Sequence, residues 1–148
     1  MKFYTAGKIW HAPKFQHLRD TLKLPVQARW IDLKDDDDIV KNRKGDLWQL
    51  CLEDVTQSDF LVLYSEDWSE EQRGALVEIG MAYGAGKPVY AIGRCKSIAP
   101  SGISDVAFTH HKLFTWLPTA DLIKGTYLAI AMELKKRGRY ASYLKAVM

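Results

Sequence analysis

The chain has 148 residues, of which 47% are hydrophobic and 26% charged, and its net charge is +3. These values suit one soluble domain over residues 1–148 and give no support to a nucleic-acid or membrane partner. Two cysteines are too few for a disulfide framework, and no secretory signal or run of about 18 apolar residues is present, so we expect a reduced, cytoplasmic setting.

Strands and helices alternate along the first half of the chain. The apolar periodicity predicts, in order, a strand over 2–7, a helix over 12–23, a strand over 25–33, a helix over 46–58 and a strand over 59–64. An acidic stretch over 34–45 separates the second strand from the second helix. Its consecutive carboxylates repel one another, which favours a solvated loop over a metal site.

The second half of the chain repeats this alternation. The pattern predicts, in order, a polar loop over 65–73, a helix over 74–86, a strand over 87–93, a strand over 111–117 and a helix over 119–138. A short tail helix over 140–147 completes a helical C-terminus that begins near residue 119. The order predicts an α/β fold with a central, mostly parallel five-stranded sheet and helices on both faces.

Glu78 stands out because it lies in an apolar run at the edge of the sheet where ligands bind. Ligands of parallel sheets bind beyond the carboxyl ends of the strands, and Glu78 falls near the start of the helix that follows the third strand. A carboxylate in a partly apolar pocket can act as a nucleophile or general base. It can also stabilise or trap the oxocarbenium-like state of a breaking glycosidic bond. The alternative is a boundary residue of an amphipathic helix, whose charge reaches solvent.

The residues around Glu78 resemble a known family. The motif GALVEIG over 74–80, followed by AGKPV over 85–89, is similar to the signature of nucleoside 2-deoxyribosyltransferases and their relatives, the 2′-deoxynucleoside 5′-phosphate N-hydrolases. YTAGK over 4–8 resembles the family's first strand, and QSDFLVLY over 57–64 resembles its third. The resemblance implies a flavodoxin-like three-layer sandwich and a covalent glycosyl–glutamate route. It also implies a homodimer or larger homo-oligomer with active sites near the interface.

Two positions depart from the family pattern. The transferases often carry an Asp six residues before the glutamate, where it contacts the base, and this position is Gln72. Family members also carry an Asp on the helix before the third strand, where this chain has Cys51, a residue whose helix position predicts core packing. Asp46 and Asp54 lie nearby in the sequence. The base, the need for a 5′-phosphate and the choice between hydrolysis and transfer therefore stay open.

The first-strand loop supplies one part of the predicted site. Tyr4 is predicted to orient the glutamate or the sugar, and Gly7 to let a ligand approach the backbone closely. Lys8 suits a 5′-phosphate, and His11 can donate a second hydrogen bond or carry a proton near neutral pH. The alternatives are strand-core packing for Tyr4, a surface position for Lys8 and a helix start for His11.

The other loops supply further predicted substrate contacts. Asp32 can bond a ribose hydroxyl or a base amine and Asp46 begins the next helix, with capping as the alternative for both. Gly74 belongs to the substrate site by the resemblance. Trp10 and Trp30 lie near two ligand loops, where a base could stack, with packing as the alternative. We predict no metal and no cofactor, since no ligand set, P-loop or dinucleotide fingerprint is found.

The sequence therefore favours an enzyme that cleaves the N-glycosidic bond of a 2′-deoxynucleoside or its 5′-monophosphate, or exchanges its base, with Glu78 and Tyr4 as catalytic residues. Its expected partners are a nucleoside or nucleotide and further copies of the chain, without a membrane or nucleic acid. An NAD-type ribosyl nucleotide stays open as a variant substrate. The alternatives are a non-catalytic nucleotide sensor of the same fold, and an interaction protein that docks through its basic, tyrosine-rich C-terminus.

Overall fold

The centre of the protein is a parallel sheet. The computed structural model describes residues 1–139 together with 145 and 146. Within them the strands are β1 (Phe3–Ala6), β2 (Phe60–Tyr64), β3 (Val89–Ile92) and β4 (Phe114–Trp116). They lie side by side in chain order, and each neighbouring pair is parallel. Every residue of β1, β2 and β3 is buried, as expected for strands that helices cover on both faces.

Helices connect the strands in the order that the sequence predicts. In the described part of the chain they are α1 (Ala12–Asp20), α2 (Asp38–Lys41), α3 (Lys44–Gln57), α4 (Arg73–Gly84) and α5 (Leu122–Lys136). The short helix α2 lies inside the stretch predicted as a loop. The predicted tail helix over 140–147 falls outside the described residues, apart from 145 and 146. No helix in residues 1–139 or 145–146 is long and apolar enough to cross a membrane.

Successive side chains of a strand point to opposite faces of the sheet, and helices pack on both faces. On one face the hydroxyl of Tyr90 in β3 donates to Glu133 of α5 at 2.6 Å, and α1 packs edge-on against Tyr64 of β2 through Phe15. On the other face Tyr4 of β1 contacts α4, and α3 packs beside α4. The predicted α/β fold with a parallel sheet is confirmed, and the arrangement is consistent with a flavodoxin-like fold.

The second predicted strand, over residues 25–33, is reduced to one bridge at the edge of the sheet. Val26 pairs with Phe3 of β1. Two backbone bonds flank this pair, from Phe3 N–H to the Pro25 carbonyl at 3.0 Å and from Gln27 N–H to the Phe3 carbonyl at 2.7 Å. The sheet within the described residues therefore has four strands, and the prediction of five is wrong.

Side chains take the hydrogen bonds that would continue this edge strand. The next backbone donor, Arg29 N–H, bonds the buried carboxylate of Asp54 at 2.8 Å. The next carbonyl of β1, that of Thr5, accepts a hydrogen bond from the Trp30 indole at 2.8 Å. The chain then coils into a 3-10 turn over Arg29–Asp32. Because both backbone partners are occupied, pairing with β1 stops after Val26.

Candidate functional site

A cavity of about 390 Å³ opens at the carboxyl end of the sheet, beside β1. Its walls come from the loop after β1, the 3-10 turn over Arg29–Asp32 with the segment that follows it, the first half of α3 and the start of α4. The loop after β1 contributes four consecutive residues, Gly7, Lys8, Ile9 and Trp10. The start of α4 contributes Gln72, Arg73, Gly74, Ala75 and Glu78. The cavity therefore lies where the rule for parallel sheets places ligands.

Glu78 lines this cavity from the buried stripe of α4. The buried residues of the helix are Ala75, Glu78, Ile79 and Ala82, which follow one another at helical spacing. Glu78 is 7% exposed. It is therefore not a boundary residue that reaches solvent, and its carboxyl group can meet only what enters the cavity or packs behind it.

Tyr4 packs behind Glu78. Its side chain is fully buried, and its hydroxyl donates a hydrogen bond to the Glu78 carboxyl group. Burial raises the pKa of Glu78 to about 8, because a charged carboxylate loses the stabilisation that water provides. At neutral pH the free protein therefore holds this carboxyl group mostly in its protonated form. The structure brings together the two residues that the sequence predicts as catalytic.

Gly7 keeps the first-strand loop close to the sheet. A β-carbon at this position would lie 3.1 Å from the Tyr64 carbonyl oxygen and 3.2 Å from the ring of Phe15. Such contacts are tighter than packing normally allows, so a side chain would push the loop outward. Gly74, the other predicted glycine, also lines the cavity, and its nearest neighbour for an added β-carbon is Trp48 at 3.7 Å. Both glycines thus sit where the prediction placed them, and Gly7 has a steric reason to be glycine.

Lys8 lines the cavity and ties two of its walls together. Its ammonium donates to the Glu71 carbonyl at 2.7 Å, which joins the loop after β1 to the loop before α4. The same ammonium lies 4.9 Å from the centre of the Trp10 ring, within the range of a cation–π contact. The role of Lys8 toward a 5′-phosphate stays a prediction.

His11 is predicted in the ligand loop but faces away from the cavity. The 3-10 turn over Ile9–His11 directs Trp10 to the cavity and buries the imidazole of His11. Its Nε2 lies 2.9 Å from a carboxylate oxygen of Glu70. The other oxygen of Glu70 accepts backbone N–H bonds from the loop after β2, at 2.7 and 2.6 Å. His11 therefore braces that loop, and the structure does not place it with Glu78.

Asp32 and Asp46 also lie outside the cavity wall. Asp32 accepts two hydrogen bonds from Arg19, at 2.7 and 2.9 Å. Asp46 accepts one from Arg43 at 2.9 Å. Each carboxylate has a local cationic partner on the surface, which explains why neither turns toward the cavity.

The first half of α3 is a wall that the sequence did not predict. Lys44, Leu47, Trp48 and Cys51 line the cavity from this helix. A helix that precedes a parallel strand starts at the carboxyl edge of the sheet, and this topological signal could have identified them. Cys51 is buried, as predicted for a core residue, and burial raises the pKa of its thiol to about 11. It is therefore a neutral wall residue at physiological pH.

Gln72 stands at one of the two positions that depart from the family pattern, Asp54 lies near the other, and both side chains have structural partners. The amide nitrogen of Gln72 donates to the Tyr64 carbonyl at 2.9 Å, which holds the start of α4 against β2. Its amide oxygen is buried and has no partner among the described residues. Asp54 is fully buried behind the cavity, where its carboxylate also accepts from the Arg29 guanidinium at 3.0 Å. Neither arrangement presents a carboxylate to the cavity.

Comparison of the sequence with protein-family models and with curated proteins finds no match. Within residues 1–139 and 145–146, no group of three or more His, Cys, Asp or Glu side chains could hold a metal ion. The chemistry of the site therefore follows from its own residues. These are a buried carboxyl group with a tyrosine behind it, a mostly apolar wall with three indoles, and cations at the mouth.

Proposed function

We propose that the protein cleaves the N-glycosidic bond of a 2′-deoxynucleoside or its 5′-monophosphate, or exchanges its base, with Glu78 as the catalytic carboxylate. The observation that carries this proposal is the position of Glu78, buried in a cavity wall against the hydroxyl of Tyr4. The motif around Glu78 supports a relationship to nucleoside 2-deoxyribosyltransferases and their N-hydrolase relatives, within a flavodoxin-like three-layer fold.

The reaction has two steps. In the first, the ionised Glu78 attacks the anomeric carbon, so that a C–O bond forms while the C–N bond breaks. The base leaves with the bonding electron pair and takes a proton from solvent at the cavity mouth. In the second step water, or a second base, attacks the same carbon and Glu78 leaves as a carboxylate. A water nucleophile gives a proton to solvent and completes hydrolysis, whereas a second base gives its N–H proton to solvent and completes exchange.

The wall residues fit the other parts of such a substrate. Trp10, Trp30 and Trp48 line the cavity, and a purine or pyrimidine ring can stack on an indole face. The indole nitrogen of Trp30 is held by the Thr5 carbonyl, so this ring has a fixed orientation. Tyr4 positions the Glu78 carboxyl group and stabilises its ionised form by donating a hydrogen bond.

Release of the free base tests the proposal. The protein is incubated with the common 2′-deoxynucleosides, their 5′-monophosphates and NAD, and the released bases are separated by chromatography. We expect release by the parent protein and a loss of at least about a thousandfold in Glu78→Gln, which keeps the shape of the side chain but cannot attack. Adding a second base then separates exchange from hydrolysis. Equal release by the parent and by Glu78→Gln would refute the role of Glu78.

A non-catalytic nucleotide sensor is the second candidate, and the neutral form of Glu78 favours it. A protonated carboxyl group can donate a hydrogen bond to a ligand, whereas it cannot act as the nucleophile. Tight nucleotide binding without base release, measured up to about pH 9 where Glu78 is ionised, would select this candidate.

The assembly of the chain into a homodimer or larger homo-oligomer stays part of the proposal, as does a cytoplasmic location. Sedimentation of the full chain over a range of concentrations measures the assembly. A monomer at every concentration would remove the homo-oligomer from the proposal and leave the cavity and its chemistry unchanged.

A further inference from the structure

We propose that His11, through its buried contact with Glu70, positions Trp10 in the wall of the cavity. His11 is a positioning residue in this role, because it acts through Trp10 and does not line the cavity itself. The His11–Glu70 pair rests on contacts within the protein. Only its effect on nucleosides and nucleotides rests on the proposed function.

Two contacts join the loop after β1 to the loop between β2 and α4. At one, the ammonium of Lys8 donates to the Glu71 carbonyl at 2.7 Å. At the other, Nε2 of His11 lies 2.9 Å from a carboxylate oxygen of Glu70. Trp10 lies between these two points in the chain and lines the cavity. Its place in the wall therefore depends on how the two loops are joined.

The His11–Glu70 pair is the stronger of the two contacts. Both of its side chains are 4% exposed, whereas the Lys8 contact lies at the surface. A carboxylate only accepts hydrogen bonds, so Nε2 of His11 carries a proton and donates it to Glu70. A hydrogen bond to an ionised group is strong where water cannot compete for it.

Glu70 is itself fixed within its loop. The carboxylate oxygen that His11 does not contact accepts backbone N–H bonds from Glu66 and Asp67, at 2.7 and 2.6 Å. This closed turn begins two residues after the end of β2. Glu70 therefore ties the pair to the end of a central strand.

Trp10 follows His11 because both belong to one short turn. The N–H of His11 donates to the Lys8 carbonyl at 3.0 Å, and this bond closes the 3-10 turn over Ile9–His11. The indole of Trp10 is 61% exposed and lies edge-on to the imidazole, with ring centres 6.0 Å apart. A displacement of the buried imidazole would therefore displace the exposed indole.

Hydrogen–deuterium exchange of the full chain tests the pair without a ligand. His11→Leu keeps an apolar side chain but removes the donor, whereas His11→Gln places an amide N–H near the position of Nε2. We expect the backbone amides of residues 8–11 and 66–70 to exchange at least about tenfold faster in His11→Leu, and within about twofold of the parent in His11→Gln. The amides of β3 should be unchanged in both. His17→Leu is the control, since His17 is exposed on α1 and does not line the cavity.

Three exchange results would overturn the positioning role. These are parent-like exchange of both loops in His11→Leu, faster exchange confined to one loop, or equally faster exchange in β3, which would make His11 a general support of the fold. If His11→Leu does not fold, His11→Asn takes its place, because the shorter amide does not reach Glu70.

Ligand binding tests the link between His11 and Trp10. Calorimetry uses the full chain carrying Glu78→Gln, which prevents turnover, with the common 2′-deoxynucleosides and their 5′-monophosphates. We expect Trp10→Ala and His11→Leu each to weaken binding roughly tenfold, and the two together to weaken it no further. His11→Gln should bind like the parent. Effects that add would show that His11 does not act through Trp10, and would overturn the proposal.

The outcome is separate from that of the proposed reaction. In the chain that keeps Glu78, His11→Leu should raise KM for base release about tenfold and change kcat less than about twofold. An equal loss in kcat with unchanged KM would contradict positioning through Trp10. Absence of ligand binding and of base release would remove the proposed function, while the exchange measurement would still decide whether the His11–Glu70 pair joins the two loops.

Discussion

At the scale of a single residue, the burial of the Glu78 carboxyl group determines its protonation state. In the described residues its side chain has one polar contact, the hydroxyl of Tyr4, and no basic group beside it. An isolated charge in such a place is strongly unfavourable, so the folded protein keeps the neutral form up to a pKa of about 8. A ligand that develops positive charge beside it would favour ionisation, as the anomeric carbon of a breaking glycosidic bond does.

Replacing Glu78 by Gln should therefore change stability in a way that depends on pH. The carboxyl group ionises near 4.5 in the unfolded chain and near 8 in the folded protein, so the parent loses stability as pH rises through this window. The loss is roughly 1.4 kcal/mol for each pH unit of the window and is complete above about pH 8. Urea unfolding should show Glu78→Gln and the parent diverging between about pH 5 and pH 8, with the variant the more stable. A difference that is independent of pH would contradict the buried, unpaired state of Glu78.

Tyr4→Phe should move the pH dependence of catalysis. The hydroxyl of Tyr4 stabilises the ionised form of Glu78, so its removal raises the pKa of the carboxyl group further. The rise of kcat/KM with pH, whose midpoint in the parent should lie near the pKa of about 8, should then shift to higher pH. At neutral pH the rate should fall about tenfold, with a stability loss of about 1 kcal/mol from the lost hydrogen bond. A uniform fall in rate at all pH values would assign Tyr4 a role other than tuning Glu78.

At the scale of elements, the helices and strands with a regular spacing or an unbroken run of apolar residues could be predicted from the sequence. The apolar runs of β1, β2, β3 and β4, and the helical spacing of α1, α3, α4 and α5, all correspond to elements of the structure. Residues 25–33 alternate like a strand, yet Asp54 and Trp30 divert the backbone. These contacts join residues far apart in the chain, so the local periodicity of the sequence cannot indicate them.

Removing Asp54 should therefore destabilise this edge of the protein. Asp54→Ala leaves Arg29 N–H and its guanidinium without their buried acceptor, and we expect a loss of about 2–3 kcal/mol in the free energy of unfolding. Glu53→Ala is a matched control, because Glu53 bonds the same guanidinium at 2.9 Å but is about half exposed. It should cost less than about 0.5 kcal/mol. Urea unfolding of both variants measures the difference, and equal losses would show that the Asp54 contacts do not fix this segment.

At the scale of the whole molecule, the site forms because the carboxyl ends of parallel strands lie at the same edge of the sheet. The sequence placed Glu78, Gly7, Lys8 and Gly74 at this edge, and all four line the cavity. His11, Asp32 and Asp46 were predicted with them because they are near the same edge in sequence. The direction of each side chain is decided by its nearest hydrogen-bond partner, Glu70 for His11, Arg19 for Asp32 and Arg43 for Asp46, which only the folded structure shows. The topology alone places the start of α3 at this edge, whereas the choice of the α3 side chains that face the cavity depends on how α3 packs against α4.

The clustering of indoles gives the protein a built-in optical reporter. Of its five tryptophans, three (Trp10, Trp30 and Trp48) line the one cavity that contains Glu78 in the described part of the chain, and Trp68 and Trp116 lie elsewhere. The fluorescence emission of an indole ring changes when an aromatic group stacks on it or when water is excluded from it. A change in the emission of the unlabelled protein, above the constant contribution of Trp68 and Trp116, therefore reports on occupancy of this cavity, so unmodified small molecules can be screened without knowing the reaction beforehand.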